Sequence, residues 1–193
     1  MKIRFAIAAV LCGATACAVA APVKYTIDSN HTYPSFQTDH FGGLSTFRGK
    51  FNSTSGTVVL DREAGSGTLD VTIDAASIDL GHDKLNDHVK SDATMLDVKK
   101  FPTATYTGKL TKFVNGAPTE VDGTLTLRDV SKPVTLKIDH FVCKPHPMQK
   151  KEVCGASATG TINRADFGVV YGKDYGFKMD TMLEIQVEAL KAD

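Results

Sequence analysis

From Lys24 to the C-terminus the chain mostly alternates apolar and polar residues with period two, and one stretch breaks the rhythm. Between Ile78 and Tyr106, Leu80, Leu85, Val89 and, less regularly, Met95 fall at roughly helical spacing, with Asp, His, Lys and Asn between them. Residues that recur every three to four positions share a helix face, whereas alternating residues share a strand face. The pattern predicts one short helix set into an otherwise all-β chain.

The strands can be placed in order. Residues 24–28 open a first strand, and 35–41 continue it after a turn at Ser29-Asn30. Gly42-Gly43 break the chain, and Phe47, Gly49 and Phe51 then alternate towards Val59. A turn in the Gly-rich DREAGSG segment leads into Leu69, Val71 and Ile73 on one face, with Asp70, Thr72 and Asp74 on the other. That is the signature of a half-buried antiparallel strand. After the helix, a β-run from Thr103 to Phe113 is predicted to be interrupted at Gly108, and Asn115-Gly116 turns it back. Asn-Gly between two alternating segments is a strong hairpin signal. Val121, Gly123, Leu125 and Leu127 follow, then Val134, Leu136, Ile138 and His140 in a strand that Pro133 is expected to open. Ala156, Ala158, Gly160 and Ile162 make another face, and Leu183, Ile185, Val187 and Ala189 the last.

Roughly eight strands with short turns and a single helix suit an up-and-down antiparallel barrel. Such a barrel either fills with its own side chains or holds one small ligand. Gly49, Gly108, Gly123 and Gly160 lie in or beside strands, where they either bend the sheet or leave room inside it.

The first twenty residues stand apart. Lys2 and Arg4 precede an apolar run from Phe5 to Cys12, and Ala18-Val19-Ala20 supplies small residues for cleavage. This reads as a secretory signal peptide, removed after Ala20, leaving about 173 residues as one exported domain. A lipoprotein reading fits poorly, because Ala9 and Ala14 stand where a leucine would precede Cys12 or Cys17. Without Lys2 and Arg4, the 22 basic residues fall to 20 against 22 acidic ones. Near-neutral charge argues against nucleic acid as a partner, and no later run is long and apolar enough to span a bilayer.

Cys143 and Cys154 remain, bracketing a loop that carries prolines, lysines, His146 and Met148. In an oxidising compartment a disulfide is the simplest expectation. The sharper alternative is a redox or soft-metal site built from Cys143, His146, Met148 and Cys154. Elsewhere the candidates for chemistry are thin. His82, Asp83, Asp87, His88 and Asp92 read as a solvated helix face, with His88 and Asp92 spaced to pair. His31 and His40 flank the first β segment, each either a satisfied histidine or a contact for a ligand head group. No nucleophile is placed beside a base, so no catalysis is expected and no cofactor is implied.

Four stretches together are specific. They are YTIDSNH with FQTDHFG and STFRGKF; DKLNDHVKSDATMLDVKKFPTATY; GTLTLRDVSKPVTL; and RADFG ahead of the final strand. In this order, from about Lys24 to Lys191, they resemble the YceI-like family of exported lipid-binding proteins. The resemblance implies an extended lipocalin-like antiparallel barrel with an elongated apolar pocket. It also implies a periplasmic location and, as ligand, a polyisoprenoid, a ubiquinone-type tail or another amphiphilic lipid. The pocket lining then falls to Phe36, Phe47, Phe51, Val71, Ile73, Leu125, Leu127, Ile138, Phe167, Leu183 and Ile185, each also an ordinary core position. The helical stretch is expected at the mouth, and a homodimer is left open. Pro34, where a β-former would be expected, and the Cys143–Cys154 loop depart from the family pattern.

Overall fold

The period-two segments fold into a continuous antiparallel meander in a computed structural model that describes residues 21–193. The leader predicted at residues 1–20 lies outside the described residues. The strands are β1 (Val23–Ile27), β2 (Tyr33–His40), β3 (Ser45–Phe51), β4 (Thr54–Asp61), β5 (Ser66–Asp74) and β6 (Ile78–Asp79). After helix α1 (Asp83–Ser91) come β7 (Thr103–Thr111), β8 (Glu120–Leu127), β9 (Val130–Pro145), β10 (Glu152–Asn163) and β11 (Asp180–Lys191).

Six of these are halves of longer strands. Along β11, Thr181 to Gln186 pair with β2 and Ala189 to Lys191 with β1. In the same way β3 and β4 run along β2 and β1, and β5 and β6 run along β4 and β3. Three bent strands and five unbroken ones therefore make an eight-stranded barrel, closed where β1 meets β11. Closure joins the ends of the main ring, while the short β6 keeps one edge unpaired among the described strands.

The bends have local causes. Between β1 and β2 the Thr32 hydroxyl donates to the Glu188 carbonyl and accepts from the Glu188 N–H, both at 3.2 Å, which bridges the break in the ladder. Between β5 and β6 the Asp74 carboxylate caps a single 3-10 turn, Ala75–Ser77.

Three expectations need correction. Gly108 does not interrupt β7; it pairs directly with Gly123 in β8. Pro133 does not open its strand. A two-residue turn at Arg128 and Asp129, with φ of 52° and 60°, lets β9 start at Val130, opposite Leu127. Both residues in the left-handed region make the tight hairpin that matches strand twist, although neither is glycine. His140 does not share the face of Ile138. The register shifts between Ser157 and Ala158, so Asp139 is an extra residue and Phe141, rather than His140, turns inward. One bulged residue reverses the phase of every side chain after it.

The β9–β10 hairpin is stapled by a Cys143–Cys154 disulfide, the two residues facing each other as one rung of the ladder. Both thiols are consumed, and the His146 Nδ1 accepts backbone N–H groups from Met148 and Gln149 at 3.2 and 3.0 Å. Met148 points to solvent, 82% exposed. The loop is thus organised as a capped turn, and its four sequence-predicted ligands do not converge. Replacing both cysteines with Ala is expected to lower stability by about 2–3 kcal/mol, the loop-closure contribution for a span this short. Urea unfolding of the double variant, beside the parent with and without reductant, measures it.

Candidate ligand-binding cavity

Alternation sends every second side chain of each strand into the barrel, and these side chains leave a continuous cavity of about 820 Å³. That volume is near the upper end of the usual range for small-molecule sites, about 300–1,000 Å³. Its wall carries Phe36, Phe47, Phe51, Val71, Ile73, Leu125, Leu127, Ile138, Leu183 and Ile185. Phe167, the remaining sequence-predicted lining residue, is elsewhere. It sits in the 3-10 turn Arg164–Phe167, 2% exposed, packed into the hydrophobic core away from the void. Pro34 is compatible with its strand and lies on the wall, opposite Ile185.

The lower end is filled by buried Tyr25, Leu60, Leu110, Pro118 and Val121. The Tyr25 hydroxyl donates to Glu152, and burial followed by that carboxylate pushes its pKa up. Midway, the Tyr106 ring lies across Gly123 and its hydroxyl donates to the Val134 carbonyl at 2.8 Å. A Cβ on Gly123 would sit 2.3 Å from that ring, and one on Gly49 would sit 2.6 Å from the Phe36 ring. Each of these two glycines seats a neighbouring aromatic ring.

The upper end is built differently. Leu85, His88 and Val89 of α1, with Met95 and Leu96 after it, close one side. This segment is tied down by Arg128, whose guanidinium donates to the Met95 and Ala93 carbonyls and lies over the Phe101 ring. Thr94 in turn accepts the N–H groups of Val170 and Tyr171. Opposite stand aromatic rings. His40 stacks on Phe47 with centroids 4.4 Å apart and meets the edge of Phe177 at 5.1 Å. Tyr171 meets His88 edge-on at 5.1 Å.

Arg164 holds the loop beyond β10, with Nη1 on the Val169 carbonyl at 2.9 Å and Nη2 on the Tyr171 carbonyl at 2.8 Å. Burial pulls its pKa below the ordinary arginine value, with Asp39 opposing. Among the described residues its Nε and the Thr54 hydroxyl are enclosed without a partner, and both residues belong to the cavity wall.

The two histidines singled out from sequence part company. His40 is on the wall among the mouth aromatics. His31 is outside it, in the bend after β1, with Nδ1 2.8 Å from the Asp28 carboxylate. That carboxylate raises the His31 pKa, and the histidine lowers that of Asp28. His31 therefore makes no contact with the cavity. His88 leaves the solvated helix face expected for it, and the Asp92 carboxylate bonds Thr94 rather than His88. Tyr171, Phe177 and Arg164 were not picked out from sequence; they sit in a loop with no periodicity, where only the RADFG resemblance marked the neighbourhood.

A closed antiparallel barrel with a deep apolar cavity and one aromatic-lined mouth defines a lipocalin-like container. The chain belongs to the YceI-like family, whose domain model matches residues 25–189. Protein YceI of Salmonella arizonae is 35% identical over 156 residues, 80% of each chain, and that of Salmonella paratyphi B is equally similar. A Campylobacter jejuni YCEI protein superposes with a TM-score of 0.64 at 27% identity, covering 78% of this chain and 88% of that one. A polyisoprenoid binding domain from Saccharophagus degradans, implicated in plant cell wall breakdown, superposes with a TM-score of 0.60. At 15% identity, over 88% of this chain and 99% of that one, it shares the fold.

Proposed function

We propose that this protein is exported to the periplasm and there binds and carries an amphiphilic lipid with a long isoprenoid tail, a quinone among the candidates. It acts by enclosure and not by catalysis. The observation that carries the reading is the cavity itself, about 820 Å³ bounded almost entirely by apolar side chains and entered past aromatic rings. A polyisoprenoid tail has no polar handle, so its affinity must come from area removed from water. Enclosing about 300–400 Å² of tail supplies roughly 8–10 kcal/mol before ordering costs. The polar end of the lipid would then lie at the mouth, where His40, His88 and Arg164 gather. The shared fold with the Saccharophagus degradans polyisoprenoid binding domain supports the ligand class by analogy.

Native mass spectrometry of the protein recovered from its own cell envelope tests this reading. The expected result is a mass excess that organic extraction removes and that is identified as a polyprenyl compound. A clean unliganded mass with no uptake of added polyprenol would overturn it. Alanine at His40 is expected to weaken retention of a head-grouped polyprenyl lipid severalfold, whereas alanine at His31 leaves it unchanged. Competition binding with both variants separates the two positions.

A further inference from the structure

Exposed large apolar side chains gather where the cavity opens. Phe41 and Leu44 project from the β2–β3 hairpin, 58% and 76% exposed, and Tyr175 projects from the 3-10 turn Lys173–Tyr175, 69% exposed. The two loops are held as one rim. The Asp39 carboxylate accepts the N–H of Gly42 and the N–H of Lys178, both at 2.9 Å. The hairpin and the turn approach so closely that a Cβ on Gly42 would lie 3.0 Å from the Gly176 carbonyl. Phe41, with φ of 57°, packs its ring 5.6 Å from Phe177. Those backbone N–H groups hold the Asp39 pKa below the usual carboxylate range. The clamp therefore persists through mild acid and is lost only as pH falls through that depressed value.

We infer that this rim seats the cavity mouth on the surface of a lipid bilayer. The inference rests on the carrier reading for its cargo. Exposed apolar residues that share a patch mark an interaction surface, whereas scattered ones do not. Phe41 and Tyr175 are both rim and cavity wall, so the patch is continuous with the apolar interior. A bilayer is the occupant that uses this continuity, because a tail passing from membrane to barrel would otherwise expose its whole length to water. Asp39 and Asp174 offset two of the three bases Arg48, Lys173 and Lys178, which leaves too little net charge for a single-sign field to select an anionic surface. Seating is by insertion, with Tyr175 suited to the headgroup boundary, its ring apolar and its hydroxyl wet.

The chain contains no tryptophan, so one introduced indole reports a single place. Leu44→Trp puts it on the rim. Met148→Trp puts it on the β9–β10 hairpin at the other end of the barrel. With phosphatidylcholine vesicles, the rim reporter is expected to shift to the blue and to be quenched by lipids brominated in their acyl chains, while the far reporter does neither. Leu44→Asp is expected to weaken vesicle flotation by about tenfold or more. Uptake of detergent-solubilised polyprenol should be unchanged in that variant, because Leu44 is not on the cavity wall. An unmoved rim reporter, or equal shifts at both ends, overturns the docking. So does a blue shift that grows with protein concentration without vesicles, which would put a second copy on the rim. Polyprenol uptake without vesicle binding sinks the docking alone. Vesicle binding without uptake sinks the carrier reading and leaves the docking standing.

Discussion

Aspartate at Ile73 is expected to abolish uptake of a polyprenyl lipid while the barrel still folds. Ile73 is only half-buried because its side chain borders the void. An empty, hydrated cavity can solvate the new carboxylate, so the unliganded fold tolerates it. Once a tail enters, that water must leave, and an unpaired charge faces hydrocarbon. An unpaired charge is among the costliest groups to bury, and about 4 kcal/mol is a conservative figure, a loss of at least about a thousandfold in affinity. Leu127 borders the same void and should behave alike. Lys112→Ala, at an exposed salt bridge with Glu120, serves as the control. Equilibrium binding read beside circular dichroism decides the matter. Unchanged uptake would place the tail elsewhere, and a matched loss of folding and uptake would make Ile73 a core position.

The second large effect has the opposite signature. Phe167→Ala is expected to cost about 3–5 kcal/mol in stability, the range for deleting a fully buried aromatic. Phe167 is 2% exposed and touches the core, not the void. At temperatures where the variant remains folded, polyprenol affinity should match the parent. Urea unfolding gives the first number and a binding isotherm the second. A stable variant with impaired uptake would return Phe167 to the pocket wall.

The strand faces were legible because alternation is imposed by the pleat itself. Leu69, Val71 and Ile73 stand where their period places them, and so do Leu183 and Ile185. Even the bend at Ser29-Asn30 was visible, and the single helix lay within the stretch that broke the rhythm. What escaped were local departures from period. The extra residue at Asp139 has no turn former to announce it, and it reversed the reading of His140 and Phe141. The turn at Arg128-Asp129 hid because its left-handed backbone is held by remote carbonyls that Arg128 reaches, not by glycine. For Phe167, burial in core and exposure to a cavity demand the same kind of residue, so no pattern distinguishes them. The mouth was least legible. His88, Tyr171 and Phe177 meet only through tertiary contacts between a helix and a loop without repeat.

The two ends of the barrel have a kinetic consequence. One end is plugged by packed side chains, beyond which the β9–β10 hairpin is covalently stapled, and the other is a neck of rings. A chain-like guest would then enter and leave by the same door, and one that fills the bore would have to leave before another enters. Exchange would be dissociative. With the mouth seated on a bilayer, release would take place there and would slow with each added isoprene unit, as for a cork of increasing length.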